Sequence, residues 1–171
     1  MPSLPSPSPS LPQRPVRVFL PCTGLGRQRR GFETFTLQCA DALRADPRIA
    51  LSSFLPALVL GRPDVVYFAD LNLGNLCWHW RRLSGQRFKL LYYNGGLTTR
   101  PFTRADMVRQ LTPAGLDEAV ARGEAREHRT VLPHGETRRA ERHASARTRF
   151  GWDALREDYA RLLLRVAEMP A

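Results

Sequence analysis

The chain has 171 residues, 43% of them hydrophobic, and 26 basic against 16 acidic side chains give a formal net charge of +10. That length suits one domain around a single core, and no window reaches the roughly eighteen apolar residues that a membrane-spanning helix needs. Three widely spaced cysteines, Cys22, Cys39 and Cys77, form neither a CxxC pair nor a His/Cys ligand cluster, so a reduced, cytoplasmic protein without a metal is expected.

Every basic residue except Lys89 is an arginine, which fits a GC-rich genome's codon bias as well as a selected surface. Such a charge attracts nucleic acid, anionic lipid or a phosphorylated ligand, and it also describes a plain solvated arginine surface. The densest stretch, Arg138 to Arg149, interleaves an acid and offers no aromatic platform for bases, so no specific nucleic-acid site is expected.

Residues 1–15 hold six prolines and four serines and no apolar run, the composition of a disordered, partly polyproline-like tail. They lack the charged start and apolar stretch of a secretory signal. Val16 to Leu20 then reads as a first strand, followed by a glycine-bearing loop, Thr23 to Gly31. Phe32, Phe35, Cys39 and Leu43 recur at helical spacing, and Asp46-Pro47 stops that helix. Ile49 to Leu55 is the second expected strand, and Asp64 to Phe68 the third, apolar enough to be covered on both faces. Asn72 is the expected cap of a helix running to Leu83 and stopped by Ser84-Gly85. Phe88 to Tyr93 and Val108 to Leu111 are further strands. Thr112-Pro113 starts another helix, for which Gly123 is the stop, and Thr130 to Leu132 is the last strand.

Strands alternating with helices imply an α/β fold: one Rossmann-like domain, a parallel sheet with helices on both faces. Ligands in such folds sit beyond the carboxyl ends of the strands. The loop from Thr23 to Gly31 opens on a helix N-terminus, where free N–H groups and glycines suit a phosphate. It is not the dinucleotide fingerprint, because Arg29 stands where GxGxxG needs glycine, and no phosphate-binding GKS or GKT occurs. Asn94-Gly95-Gly96 is either a plain turn or a pocket floor. No serine lies in a GxSxG elbow. His134 has no partner base nearby in sequence, and His79, between Trp78 and Trp80, reads as a partly buried structural residue.

Val16 to Leu20, the glycine loop, and Arg30-Gly31-Phe32-Glu33-Thr34-Phe35 leading into a helix resemble the N-terminal domain of family 4 retaining glycosyltransferases, enzymes of two Rossmann-like domains (GT-B). Asp64-Val65-Val66-Tyr67, Gln110-Leu111-Thr112-Pro113 and Val131-Leu132-Pro133-His134-Gly135 resemble later strands of that domain. Phe150-Gly151-Trp152-Asp153, opening an amphipathic helix, is similar to the family's C-terminal helix, which crosses back onto the N-terminal domain. The resemblance implies a division into the tail (1–15), an acceptor-side domain (16–135), an arginine-rich linker (136–149) and a C-terminal helix packed on the domain (150–171).

In the family a donor domain stands where this chain has only the linker, and two glutamates eight positions apart contact the nucleotide sugar. No such pair occurs here, and Asn94 stands where the family often has histidine. The resemblance therefore implies retaining transfer from a nucleotide sugar to a sugar or lipid-linked acceptor, by a half that is incomplete and inactive alone. Gly24, Gly26, Arg30, Gly31 and Glu33 would form the donor-phosphate and acceptor loop, Asn94, Gly95 and Gly96 the acceptor pocket, and His134 and Gly135 the interdomain edge. No catalytic residue, cofactor or metal is assigned, and membrane contact would be peripheral. The alternative is a non-catalytic Rossmann-like module that binds an anionic ligand or a protein.

Overall fold

A computed structural model of the chain describes residues 14–22, 31–53, 55–94, 102–123, 126–131 and 152–170. Strands β1 (Val16–Phe19), β2 (Ile49–Ser52), β3 (Val65–Phe68), β4 (Lys89–Asn94), β5 (Met107–Gln110) and β6 (Arg129–Val131) alternate with helices. These are α1 (Gly31–Arg44), α2 (Pro56–Val59), α3 (Leu71–Ser84), α4 (Pro113–Ala121) and α5 (Trp152–Ala167). The strands form one sheet in the order β2-β1-β3-β4-β5-β6, and every pairing is parallel. The expected Rossmann-like α/β domain is therefore present, with the C-terminal helix packed on it.

Alternation along the strands divides the core into two layers. Val65, Tyr67, Leu91, Tyr93 and Met107 face α1 and α5, while Val66, Phe68, Leu90, Tyr92 and Val108 face Leu58 of α2 and Cys77 of α3. Phe35, Cys39 and Leu43 form the apolar stripe of α1, spaced four residues apart. The ring of Phe35 lies 5.7 Å from that of Trp152 and 6.0 Å from that of Tyr159. Trp152, Tyr159 and Leu163 are all buried, and burying such side chains stabilises by about 1.5–3 kcal/mol each.

Three local expectations need correction. The second strand stops at Ser52 rather than Leu55, because Pro56 lacks an N–H and instead opens the short helix α2. Asp70, not Asn72, caps α3, accepting a 2.9 Å bond from the N–H of Leu73, and Asn72 lies within the helix. His79 is exposed rather than partly buried, since the buried face of α3 runs through Gly74 and Cys77. Gly123 does end α4, just past the cap residue Arg122 and with φ of 84°. Arg14 is forked onto Asp64 at 2.8 and 3.1 Å, whereas residues 1–13 and 136–149 lie outside the described residues.

Candidate functional site

The strand order reverses at β1, with β2 on one side and β3 on the other. After β1 the chain returns as α1 on one face of the sheet and after β3 as α3 on the other, and the carboxyl ends at such a reversal are where these folds bind ligands. Phe35 stacks on Tyr93 with ring centroids 5.4 Å apart and 21° between planes. Since Tyr93 is the penultimate residue of β4, this contact seats the first turns of α1 at the carboxyl edge of the sheet.

Several polar groups are buried at that edge. Glu33, in the first turn of α1, is 8% exposed, and among the described residues its Oε2 has no hydrogen-bond partner. Thr36, one turn further on, is buried with its Oγ1 in the same state. Gln110 ends β5, is 2% exposed, and has an Nε2 without a partner among the described residues. Its neighbour in the parallel register is Asn94, the buried last residue of β4. Asp70 and Thr112, by contrast, are committed as helix caps, the latter accepting a 3.1 Å bond from the N–H of Gly115.

Burying a polar atom without a partner costs free energy, so such atoms near the carboxyl edge suit a ligand group or water that completes them. A carboxylate accepts from hydroxyls, and a carboxamide both donates and accepts. The free N–H groups and dipole at the start of α1 add a preference for an anion. The edge thus has chemistry for a polyhydroxylated ligand carrying negative charge.

Behind it lies a fully buried guanidinium. Nη1 of Arg109 donates to the Tyr67 hydroxyl at 3.1 Å, and its Cζ lies 4.6–5.1 Å from the ring centroids of Tyr93, Tyr159 and Phe35. Burial disfavours the charge, but the hydroxyls of Tyr67, Tyr159 and Tyr93 offset this and leave Arg109 above its ordinary value. Burial also raises Tyr67, Tyr93 and Tyr159, against the opposing pull of Arg109, and pushes the Cys39 thiol up to about 12. At neutral pH the guanidinium is charged and its neighbours are not. Arg109 is a positioning residue that fixes the ends of β3 and β4 through ring faces.

Of the residues expected from sequence, Gly31 opens α1, Glu33 is buried in its first turn, and Asn94 ends β4. Gly24, Gly26, Arg30, Gly95, Gly96, His134 and Gly135 lie outside the described residues. Sequence reasoning missed Thr36, Arg109 and Gln110. A usable signal was present for the last two, adjacent polar residues interrupting the apolar run Met107-Val108 to Leu111. Among the described residues, no three His, Cys, Asp or Glu side chains group to hold a metal ion, and no helix is long and apolar enough to cross a membrane. No family model, curated protein or solved structure matches the chain.

Proposed function

We propose that the chain is the acceptor-side half of a retaining glycosyltransferase of the two-domain type, whose nucleotide-sugar half must come from elsewhere. The observation that carries this reading is the set of buried, uncompleted polar atoms of Glu33, Thr36 and Gln110 at the carboxyl edge. They suit the hydroxyls of a sugar, and the start of α1 suits a phosphate. The docking of α5 onto α1 agrees with the crossing helix of that family. Retaining transfer requires stabilising the leaving diphosphate and holding the acceptor hydroxyl against the anomeric carbon. In this proposal Arg30 and the N–H groups at the start of α1 serve the first task, while Glu33, Asn94 and Gln110 serve the second.

A second reading, a non-catalytic module binding an anionic ligand, is favoured by the free N–H groups at the start of α1, which suit an anion without any transfer chemistry. Amide chemical-shift mapping with a nucleoside diphosphate, then with simple sugars, tests the main reading. Both should move the amides of residues 24–33 and 94–96, and Glu33→Gln should weaken the sugar response. Shifts from the nucleotide alone would favour the second reading, and an unmoved carboxyl edge would remove both.

A further inference from the structure

At the opposite edge of the sheet, before β1, β3 and β4 begin, lies an open groove of about 520 Å³. Its walls include Arg17, Arg62, Asp64, Gly85, Gln86 and Arg87, together with Ala167 of α5. We infer that this groove is a second site, distinct from the carboxyl edge, that binds a phosphate monoester or diphosphate group.

Charge is the first argument. Asp64 is the acid among those walls, and its carboxylate already accepts from both ends of the Arg14 fork and from the Arg17 N–H at 2.8 Å. Nη1 of Arg17 is held by the Gly61 carbonyl at 2.8 Å. Arg62 and Arg87 are left, and among the described residues neither has a hydrogen-bonding or ion-pairing partner. Among the described residues, the three lining arginines and Arg14, which pairs with Asp64, stand against that one carboxylate and leave three positive charges. The C-terminal ends of α3 and α5 oppose them by about half a charge each. The balance remains near two positive charges, which matches a phosphate group, and guanidiniums bind phosphate in a forked geometry.

Backbone shape is the second argument. Arg62 has φ of 45°, the left-handed region, at a non-glycine residue that also precedes a proline. A residue before proline is steered toward extended backbone, so this conformation is doubly disfavoured. Residues held in such regions cluster at ligand sites. The neighbouring Gly61 is packed so closely that a Cβ there would lie 2.6 Å from the Ala57 carbonyl oxygen, which leaves the turn little freedom. Across the groove, Gly85 turns the chain with φ of 68°, and the adjoining Gln86 has a buried Oε1 without a partner among the described residues. A ligand hydroxyl would complete that acceptor. The flanking Leu60 and Leu83, 81% and 84% exposed, make a lipid-borne phosphate as suitable as a soluble one.

The test uses the full labelled chain and inorganic pyrophosphate. Saturable amide shifts at residues 61–62 and 85–87 are expected, with affinity lowered at least tenfold in the Arg62→Ser/Arg87→Ser variant. Arg126→Ser/Arg165→Ser, which removes the same charge elsewhere on the exposed surface, should leave it unchanged. If the first variant fails to fold, Arg87→Gln alone gives the same readout. Vesicles of phosphatidylcholine with and without phosphatidate distinguish the sources. Engagement of these amides by phosphatidate vesicles but not pyrophosphate assigns a lipid-borne phosphate. No response from either, or equal loss in both arginine variants, overturns the site.

Discussion

At position 109 a guanidinium occupies the core between two helices and the sheet, where an aliphatic side chain would ordinarily stand. Its charge is tolerated because a hydroxyl and three ring faces surround it. Removing it leaves a cavity and strips the Tyr67 hydroxyl of a donor, so Arg109→Ala should cost about 3 kcal/mol or more, read from urea unfolding. Arg109→Met, which refills most of the volume, should cost clearly less, since apolar replacements of buried charges are often tolerated. Equal losses would show that charge rather than volume matters there. Asp46 offers a pH signature. Arg48 donates to its carboxylate from the backbone and side chain at 2.8–3.0 Å, holding Asp46 below the ordinary carboxylate range, and reaches Glu157 of α5 at 2.6 Å. A lowered folded value means the stabilisation is complete above the unfolded value of about 4 and is lost as pH falls through the lower folded value. Melting temperature should therefore drop on that acid limb, less steeply in Asp46→Asn, with the two proteins converging at the lowest pH. Parallel limbs would exclude the pair as a contributor.

Among the elements, α3 shows packing overriding propensity. Glycine inside a helix is worse than alanine by about 1 kcal/mol, yet a Cβ at Gly74 would lie 2.2 Å from the Phe68 ring. Overpacking a tight contact costs about 1–3 kcal/mol, so Gly74→Ala should lower the urea midpoint, and adding Phe68→Leu should recover part of the loss. A gain in stability from Gly74→Ala alone would mean the helix can shift away from the sheet. The elements themselves were largely legible. Val65 to Phe68 and, Lys89 apart, Phe88 to Tyr93 are apolar because both sheet faces are covered, and the α1 and α5 stripes have helical spacing. Short pieces governed by one proline or one cap were not, as with α2 and the Asp70 cap. Nor was most of the site: Arg109-Gln110 interrupt an apolar run in the sequence, but only burial shows the Gln110 amide without a partner, and nothing local marks Thr36. Arg109 needs four aromatic side chains from α1, β3, β4 and α5, which only the fold assembles.

For the molecule as a whole, the two anion-favouring regions lie at opposite ends of one parallel sheet, and they call for different ligands. The carboxyl edge combines a helix start with a buried acid and carboxamides, whereas the opposite groove relies on arginines. Transfer of a sugar needs two bound partners held within about 3–3.5 Å at the reacting atoms, an arrangement that supplies much of the rate enhancement. In the proposed reading this chain supplies one partner's binding surface and the start of a phosphate site. The purified 171-residue protein, incubated with nucleotide sugars and simple sugar acceptors, should therefore give no transfer above the protein-free rate. Adding a separately expressed second Rossmann-like domain that carries paired glutamates should restore it only if the two associate. Clear turnover by the chain alone, abolished by Glu33→Gln, would show that these residues already form a complete active site and would overturn the half-enzyme proposal.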